Sequence, residues 1–298
     1  MNVRPIRGDD LTAIAAFLAD DEERLLGRPS RTSVEDVRAW TSGVDLAHDS
    51  WLYANGDRAI RALGWVQPFD EVGVAVGVVH ADARGRGLGS ELVARAEARL
   101  SELSVARIQQ IAFAADAAAA PLLLGCGYRE VRRFWDMTIE LDGPPALPRL
   151  PEGMRIEPFS TTEARAFHDA LDEAFRDHWE HHSEPFEEWW ERRERAPDFD
   201  PTLWFVVRDG DDIAAAVRND PHRAGGGWVA ALGVRRPWRG RGLGKALLLH
   251  SFGEFHRRGV HRVSLGVDAD NPTGATKLYE DVGMEVELEQ VFYEKELR

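Results

Sequence analysis

The chain has 298 residues, 44% hydrophobic and 30% charged, an ordinary globular composition that leaves no room for wholesale disorder, and at roughly 100–200 residues per domain its length predicts two domains. The formal net charge of −14 argues against phosphate-backbone binding, hence no nucleic-acid partner; it reads first as solubility and second as a preference for a cationic substrate such as an amine. Cys126 is the only cysteine, Met1 to Asp10 lacks the apolar core of a signal peptide, and no run reaches the roughly 20 apolar residues of a membrane helix, so a reducing, cytoplasmic setting without a membrane partner is expected.

In chain order, Asn2 to Ile6 reads as a strand and Asp10 to Ala19 as a helix. A second helix follows around Val34 to Thr41, then strands at Ser50 to Ala54, Ala62 to Gln67 and Val72 to His80. The run Arg84-Gly85-Arg86-Gly87-Leu88-Gly89 comes next, followed by a helix whose apolar stripe is Leu88, Leu92, Val93, Ala96 and Leu100. A strand at Arg107 to Phe113, a short helix ending in Gly125 to Tyr128 and a strand at Val131 to Leu141 close this half. Residues 143–152 form a proline-rich linker, since repeated prolines block both helix and central strand.

The second half repeats the order. Met154 to Pro158 reads as a strand, Thr161 to Phe175 and Phe186 to Arg195 as helices, and Leu203 to Arg208, Ile213 to Arg218 and Trp228 to Val234 as strands, with a hairpin turn at Asp209-Gly210-Asp211-Asp212. The glycine run returns as Arg239-Gly240-Arg241-Gly242-Leu243-Gly244, and its helix carries Leu243, Leu247, Leu248, Phe252 and Phe255. A strand at Arg262 to Val267, a short helix ending in Val282 to Met284 and a strand at Glu285 to Leu297 complete the duplication. The expected fold is α+β, two tandem domains at 1–142 and 153–298, each a mixed, mainly antiparallel sheet flanked by helices.

A glycine-rich turn between a strand and a helix gathers backbone N–H groups around an anion. A Walker-type loop is excluded, because Arg239 stands where its first glycine belongs and Ala246 follows Gly244-Lys245 where a hydroxyl is needed. The Gly-x-Gly-x-Gly spacing, after several antiparallel-type strands, does not fit a dinucleotide fingerprint. The remaining pattern, Arg-x-x-Gly-x-Gly, resembles the pyrophosphate-binding motif of the GNAT superfamily of acyl-CoA-dependent N-acetyltransferases, and the resemblance covers both halves. In the second half it extends to Leu232-Gly233-Val234-Arg235-Arg236-Pro237 before the turn, Asp268-Ala269-Asp270-Asn271 after the next strand, and Leu278-Tyr279-Glu280-x-x-Gly283-Met284.

The resemblance implies acetyl-CoA as cosubstrate and no metal. It implies that the backbone of Arg239, Gly240, Arg241, Gly242, Leu243, Gly244 and Lys245 binds the pyrophosphate, with the glycines keeping side chains from the approach. Leu232, Gly233 and Val234 would pair with the pantetheine arm on a strand that splays from its neighbour, Asn271 would contact that arm, and Tyr279 would be the general acid. In the first half the cofactor residues would be Val78, Val79, His80, Arg84, Gly85, Arg86, Gly87, Leu88 and Gly89. Counting back from Gly127, Leu123 falls where Tyr279 sits and Ala115 where Asn271 sits, so the first half is expected to be degenerate and the second catalytic.

Many relatives carry a glutamate on the strand before the turn, where Trp228 stands here, whose indole cannot accept a proton; Asp220, His222, Glu180 and His178 are candidate bases, with a water chain as the alternative. The cluster Asp177-His178-Trp179-Glu180-His181-His182 is not His-Glu-x-x-His, which excludes a zincin site. The resemblance implies that the segment around the first two helices covers the acceptor pocket, so that His178, Trp179 and Glu180 would line it. Trp189 and Trp190 either cradle a cationic amine or pack in the core. The expected reaction is direct acetyl transfer to a primary amine of a small molecule; a protein or peptide N-acetyltransferase and a non-catalytic acyl-CoA-binding regulator are the alternatives.

Overall fold

The computed structural model describes residues 2–55, 59–179, 181, 183–196, 199–223, 225–271 and 273–297. The chain forms two compact units, Met1–Phe134 with Leu288–Arg298, and Trp135–Glu287. The elements of the first half are β1 (Asn2–Arg4), α1 (Leu11–Leu26), α2 (Val34–Trp40), β2 (Ser50–Asn55), β3 (Ala59–Phe69), β4 (Val72–Val79), α3 (Leu88–Glu102), β5 (Arg107–Phe113), α4 (Ala119–Gly125) and β6 (Arg129–Glu140). Those of the second are β7 (Met154–Pro158), α5 (Ala164–Phe175), α6 (Phe186–Glu194), β8 (Phe205–Asp209), β9 (Asp212–Arg223), β10 (Gly226–Val234), α7 (Leu243–Arg257), β11 (Arg262–Asp268), α8 (Ala275–Glu280) and β12 (Glu285–Glu296). Helix α1 runs past the expected Ala19 to Leu26, where Gly27, at φ 66°, supplies the left-handed stop.

In the first unit β1, β2, β3 and β4 pair antiparallel in order, and β4 pairs parallel with β5. In the second, β7, β8, β9 and β10 do the same and β10 pairs parallel with β11. Each sheet is therefore mixed and mainly antiparallel. The expected boundaries followed the linker, whose residues 143–151 form no helix or strand. The compact units part elsewhere, at 134/135 and 287/288. Residues 290–296 of β12 pair antiparallel with β5 in the first unit, while β6 is the neighbour of β11 in the second. The two closing strands are both 12 residues long and end equivalent halves, so either sheet edge can accept either strand.

The parallel pairs are short. β4 and β5 pair from Val72↔Arg107 to Ala75↔Gln110, leaving Val76 to Val79 beyond the ladder. β10 and β11 pair only at Gly227↔Val263 and Trp228↔Ser264, although β10 continues to Val234 and β11 to Asp268. Each unit thus holds a V-shaped opening between its parallel strands. β10 carries two register shifts against β9, between Gly226 and Trp228 and between Val229 and Ala231, whereas β4 stays in register with β3 throughout. Such bulges re-aim backbone groups and increase local twist.

The second unit's core is one cluster, to which α7 contributes Leu243, Leu247, Leu248, Phe252 and Phe255, and which also holds Phe167, Trp189 and Trp204. In the first unit α3 buries Leu88, Leu92, Val93, Ala96 and Leu100, the stripe expected from the sequence.

Candidate active site

The glycine turn has the same construction in both units. Gly240 and Gly242 have φ 74° and 80°, and Gly85 and Gly87 have φ 73° and 81°. An L-residue in that left-handed region is disfavoured by roughly 1–2 kcal/mol. Gly242 and Gly87 precede α7 and α3, neither of which has a side-chain cap. Among the described residues no acceptor meets the N–H groups of Gly240 to Lys245, nor those of Gly85 to Ser90. These orphan donors lie at the positive end of a helix dipole, an arrangement suited to an anion.

Two expectations for the turn need correcting. The third glycine serves packing rather than approach: a Cβ on Gly244 would stand 3.2 Å from Leu278 Cδ2, and one on Gly89 would stand 2.8 Å from Leu122 Cδ2. The missing side chain lets α8, or α4, dock on the start of the helix. The leading arginine, in turn, points inward. Arg239 Nε donates to the Val234 carbonyl at 3.1 Å, Nη2 to the Ala174 carbonyl at 3.0 Å and Nη1 to Asp177 at 3.0 Å. Arg84 Nε donates to the Val79 carbonyl at 3.1 Å, and its two Nη atoms to Asp116 at 2.7 and 2.9 Å. Both guanidiniums tie the turn to the end of the strand before it, leaving the backbone to face a ligand. Arg241, half-exposed and 3.6 Å from Asp209, and the exposed Lys245 are the cations of the second turn that point outward.

On β10, Leu232, Gly233 and Val234 pair with Val217, Ala216 and Ala215 on one edge; the opposite edge faces the opening. Gly233 is required by packing, since a Cβ there would lie 2.7 Å from Ala174 Cβ. In the first unit, Val78 and Val79 pair with Leu63 and Ala62, and the His80 N–H donates to the Arg61 carbonyl. The His80 ring accepts from the Asp82 N–H at 3.2 Å and caps the turn.

Tyr279 is buried on α8, 8% exposed, and no group among the described residues hydrogen-bonds its phenol. Burial alone pushes its pKa up to about 12. Its backbone carbonyl accepts from the Met284 N–H at 3.0 Å, just after Gly283 at φ 91° reverses the chain. The Leu123 carbonyl accepts from the Tyr128 N–H at 3.0 Å beside Gly127 at φ 87°, so Leu123 does occupy the place of Tyr279. The counterpart of Asn271, however, is Asp116 rather than Ala115. Each donates its N–H to the last carbonyl of the preceding strand, Asn271 to Asp268 and Asp116 to Phe113. Each side chain also accepts the N–H two residues on, at Thr273 (2.8 Å) and Ala118 (3.1 Å). The halves differ by one residue between this turn and the short helix, which counting backwards does not reveal. Asn271 spends its carbonyl oxygen on the turn, leaving its Nδ2 donors for a ligand, whereas Asp116 is held by Arg84.

Asp177 is ion-paired with Arg236 and Arg239, which hold its carboxylate down to about 2. The His178 ring packs on Phe175 at 4.4 Å, and burial lowers its pKa against the opposing pull of Asp268. His181 meets Asp172 at 3.1 Å. Trp179 is half-buried; Glu180 and His182 lie outside the described residues. The segment thus braces the glycine turn through Asp177, a role its composition did not suggest. Trp189 and Trp190 belong to an aromatic core cluster with Phe159, Phe167, Phe186 and Trp204, which answers the cradle reading with packing. Trp228 is buried beneath the Arg223 guanidinium, 4.2 Å from its ring centre. Across from it Asp220 pairs with Arg218 at 2.7 Å, and His222 is exposed.

Known proteins match this chain in both sequence and fold. The model of the acetyltransferase (GNAT) family matches residues 15–128 and again 164–284. The mycothiol acetyltransferase of Thermobispora bispora is 33% identical over 239 residues, 78% of each chain, and that of Geodermatophilus obscurus is 34% identical over 216 residues, 69% of this chain and 68% of its own. The GCN5-related N-acetyltransferase of Sphaerobacter thermophilus superposes with a TM-score of 0.89 at 34% identity, covering 100% of this chain and 96% of that one. A tandem GNAT protein from the clavulanic acid biosynthesis pathway shares the fold, with a TM-score of 0.73 at 16% identity over 100% of this chain and 98% of its own. This chain belongs to the GNAT acetyltransferase family, as a tandem pair of its domains, and is an N-acetyltransferase.

Proposed function

We propose that the second unit moves the acetyl group of acetyl-CoA directly onto a primary amine of a small molecule, and that the first is a degenerate copy whose intact turn binds acyl-CoA without chemistry. The observation that carries this reading is the coincidence, in the second unit alone, of orphan turn N–H groups, a bulged β10 and a buried phenol on the helix docked against the turn. The first unit keeps the turn but has Leu123 for the phenol, a bulge-free β4, and Asp116 bound to Arg84. The relatives named mycothiol acetyltransferase support a small-molecule acceptor.

The turn backbone from Arg239 to Lys245 would hold the pyrophosphate, and Arg241 and Lys245 add positive charge beside it. The free edge of Leu232 to Val234 would pair with the pantetheine arm, and an N–H on that edge would polarise the thioester carbonyl as an oxyanion donor. The neutral amine attacks the carbonyl carbon, a C–N bond forms and the C–S bond breaks. Tyr279 hydrogen-bonds the departing sulfur. A phenol near 12 holds its proton throughout the neutral range. A free thiol lies near 8.5, but the crevice that raises the phenol raises the thiol too, so proton transfer follows sulfur departure. Cys126 belongs to the first unit and the second contains no cysteine, which favours a ternary complex over an acyl-enzyme. Transfer is tested by thiol release from acetyl-CoA across a panel of primary amines, with mass analysis of the product; acetyl-CoA binding without release on any amine would leave a regulator instead.

A further inference from the structure

We propose that Asp136 is the carboxylate that binds and deprotonates the acceptor amine, a residue from the first half of the sequence working in the second unit; this rests on the acetyl-transfer reading above. β11 lies between β10 and β6, and every residue of it is buried except Gly266. Exposure in the middle of a covered strand means that the sheet face has an opening there. Side chains alternate along a strand, so Gly266 faces away from Leu265 and Val267, which share the core cluster with Tyr279.

The neighbouring strand sets what borders the opening. Thr138 Oγ1 meets Ser264 Oγ at 2.8 Å, and Glu140 meets Arg262 at 2.8 Å. The next antiparallel step puts Asp136 opposite Gly266. A Cβ on Gly266 would stand 3.6 Å from Asp136 Oδ1 and 3.7 Å from Trp228 Cζ2. A half-exposed carboxylate and an indole edge therefore bound a bay whose floor is a glycine. The bay begins just past Trp228↔Ser264, the last pair before β10 and β11 part, which is the apex of the opening. The indole cannot accept a proton; the carboxylate across the bay can. Arg262, with Glu140 and Glu287, continues the same face.

The ammonium gives one proton to Asp136, which frees the lone pair to attack. The second nitrogen proton leaves as the tetrahedral adduct collapses and restores the proton that Tyr279 delivers to sulfur. Asp136 returns its proton to solvent, so one proton is released per acetyl group transferred.

The test compares wild type with D136N, D136E and G266A, using glucosamine, cysteine methyl ester and an aliphatic diamine as acceptors, with direct measurement of acetyl-CoA affinity and thermal midpoint. D136N is expected to lower kcat/KM for the best amine about 10²- to 10³-fold at pH 7, with acetyl-CoA affinity within twofold. Its deficit shrinks as pH rises through the amine's own pKa, about 8 for an α-amino group, which a merely structural defect would not do. D136E retains most activity. G266A fits without a clash, so it folds normally and raises the KM of the amine at least fivefold. D136N with wild-type kcat/KM, or with a deficit independent of pH, overturns the assignment. A wild-type protein that binds acetyl-CoA yet acetylates none of the amines overturns the acetyl-transfer reading itself, a different result from a failed D136N.

Discussion

Replacing Tyr279 with phenylalanine separates chemistry from stability. The ring is 8% exposed and its hydroxyl has no hydrogen-bond partner among the described residues. Although the ring is buried, its oxygen is not among the buried side-chain atoms without a partner, so the hydroxyl keeps contact with solvent and makes no hydrogen bond within the fold. Removing it therefore breaks no hydrogen bond of the fold, and Y279F should melt close to the wild-type temperature. In the proposed mechanism the same hydroxyl hydrogen-bonds the departing sulfur. Loss of general-acid assistance lowers rates by about 10²- to 10⁴-fold, equivalent to about 2.7–5.4 kcal/mol at 1.36 kcal/mol per tenfold. We expect kcat reduced at least 10²-fold, with acetyl-CoA affinity unchanged. Because burial pushes the phenol up to about 12, wild-type kcat should show no loss from phenol ionisation below about pH 11. The assay is steady-state thiol release from pH 6 to 10.5, beside calorimetry for acetyl-CoA and thermal melting. A Y279F enzyme within twofold of wild-type kcat would refute the reasoning; so would one that melts several degrees lower, because the hydroxyl would then have a structural partner.

Other perturbations separate the parts of the site. Gly242→Ala forces an alanine to φ 80°, costs roughly 1–2 kcal/mol and should raise the acetyl-CoA Kd about tenfold by calorimetry, leaving the first unit's site untouched. Gly233→Ala pushes a methyl to within 2.7 Å of Ala174 Cβ, and overpacking of this kind costs about 1–3 kcal/mol, read as a lower midpoint in urea. Asp177 has its folded pKa depressed from 3.8 to about 2 by Arg236 and Arg239, so its clamp contributes stability above pH 4 and loses it as pH falls toward 2. The thermal midpoint of wild type should fall more steeply than that of D177N over that range. Leu123→Tyr should leave the first unit inactive, tested in a Y279F background, because its strand has no bulge and Asp116 remains held by Arg84.

Composition, strand alternation and a doubled glycine motif were enough to read two α+β halves, the order of nearly every element, the left-handed glycine turns and the equivalence of Leu123 with Tyr279. These are local properties: a left-handed φ calls for glycine wherever it occurs, and apolar periodicity marks a buried face whatever covers it. Tertiary structure alone decided which unit each closing strand joins, since two equivalent strands suit either edge. It also decided that the turn arginines brace a strand end, that Trp189 and Trp190 pack rather than bind, that Asp116 replaces Asn271, and that Asp136 borders an opening more than 90 residues along the chain from Trp228. Each of these depends on which groups meet across large separations in sequence, and that is fixed by packing, where the side chain that fits and the donor that finds an acceptor win out over any local preference.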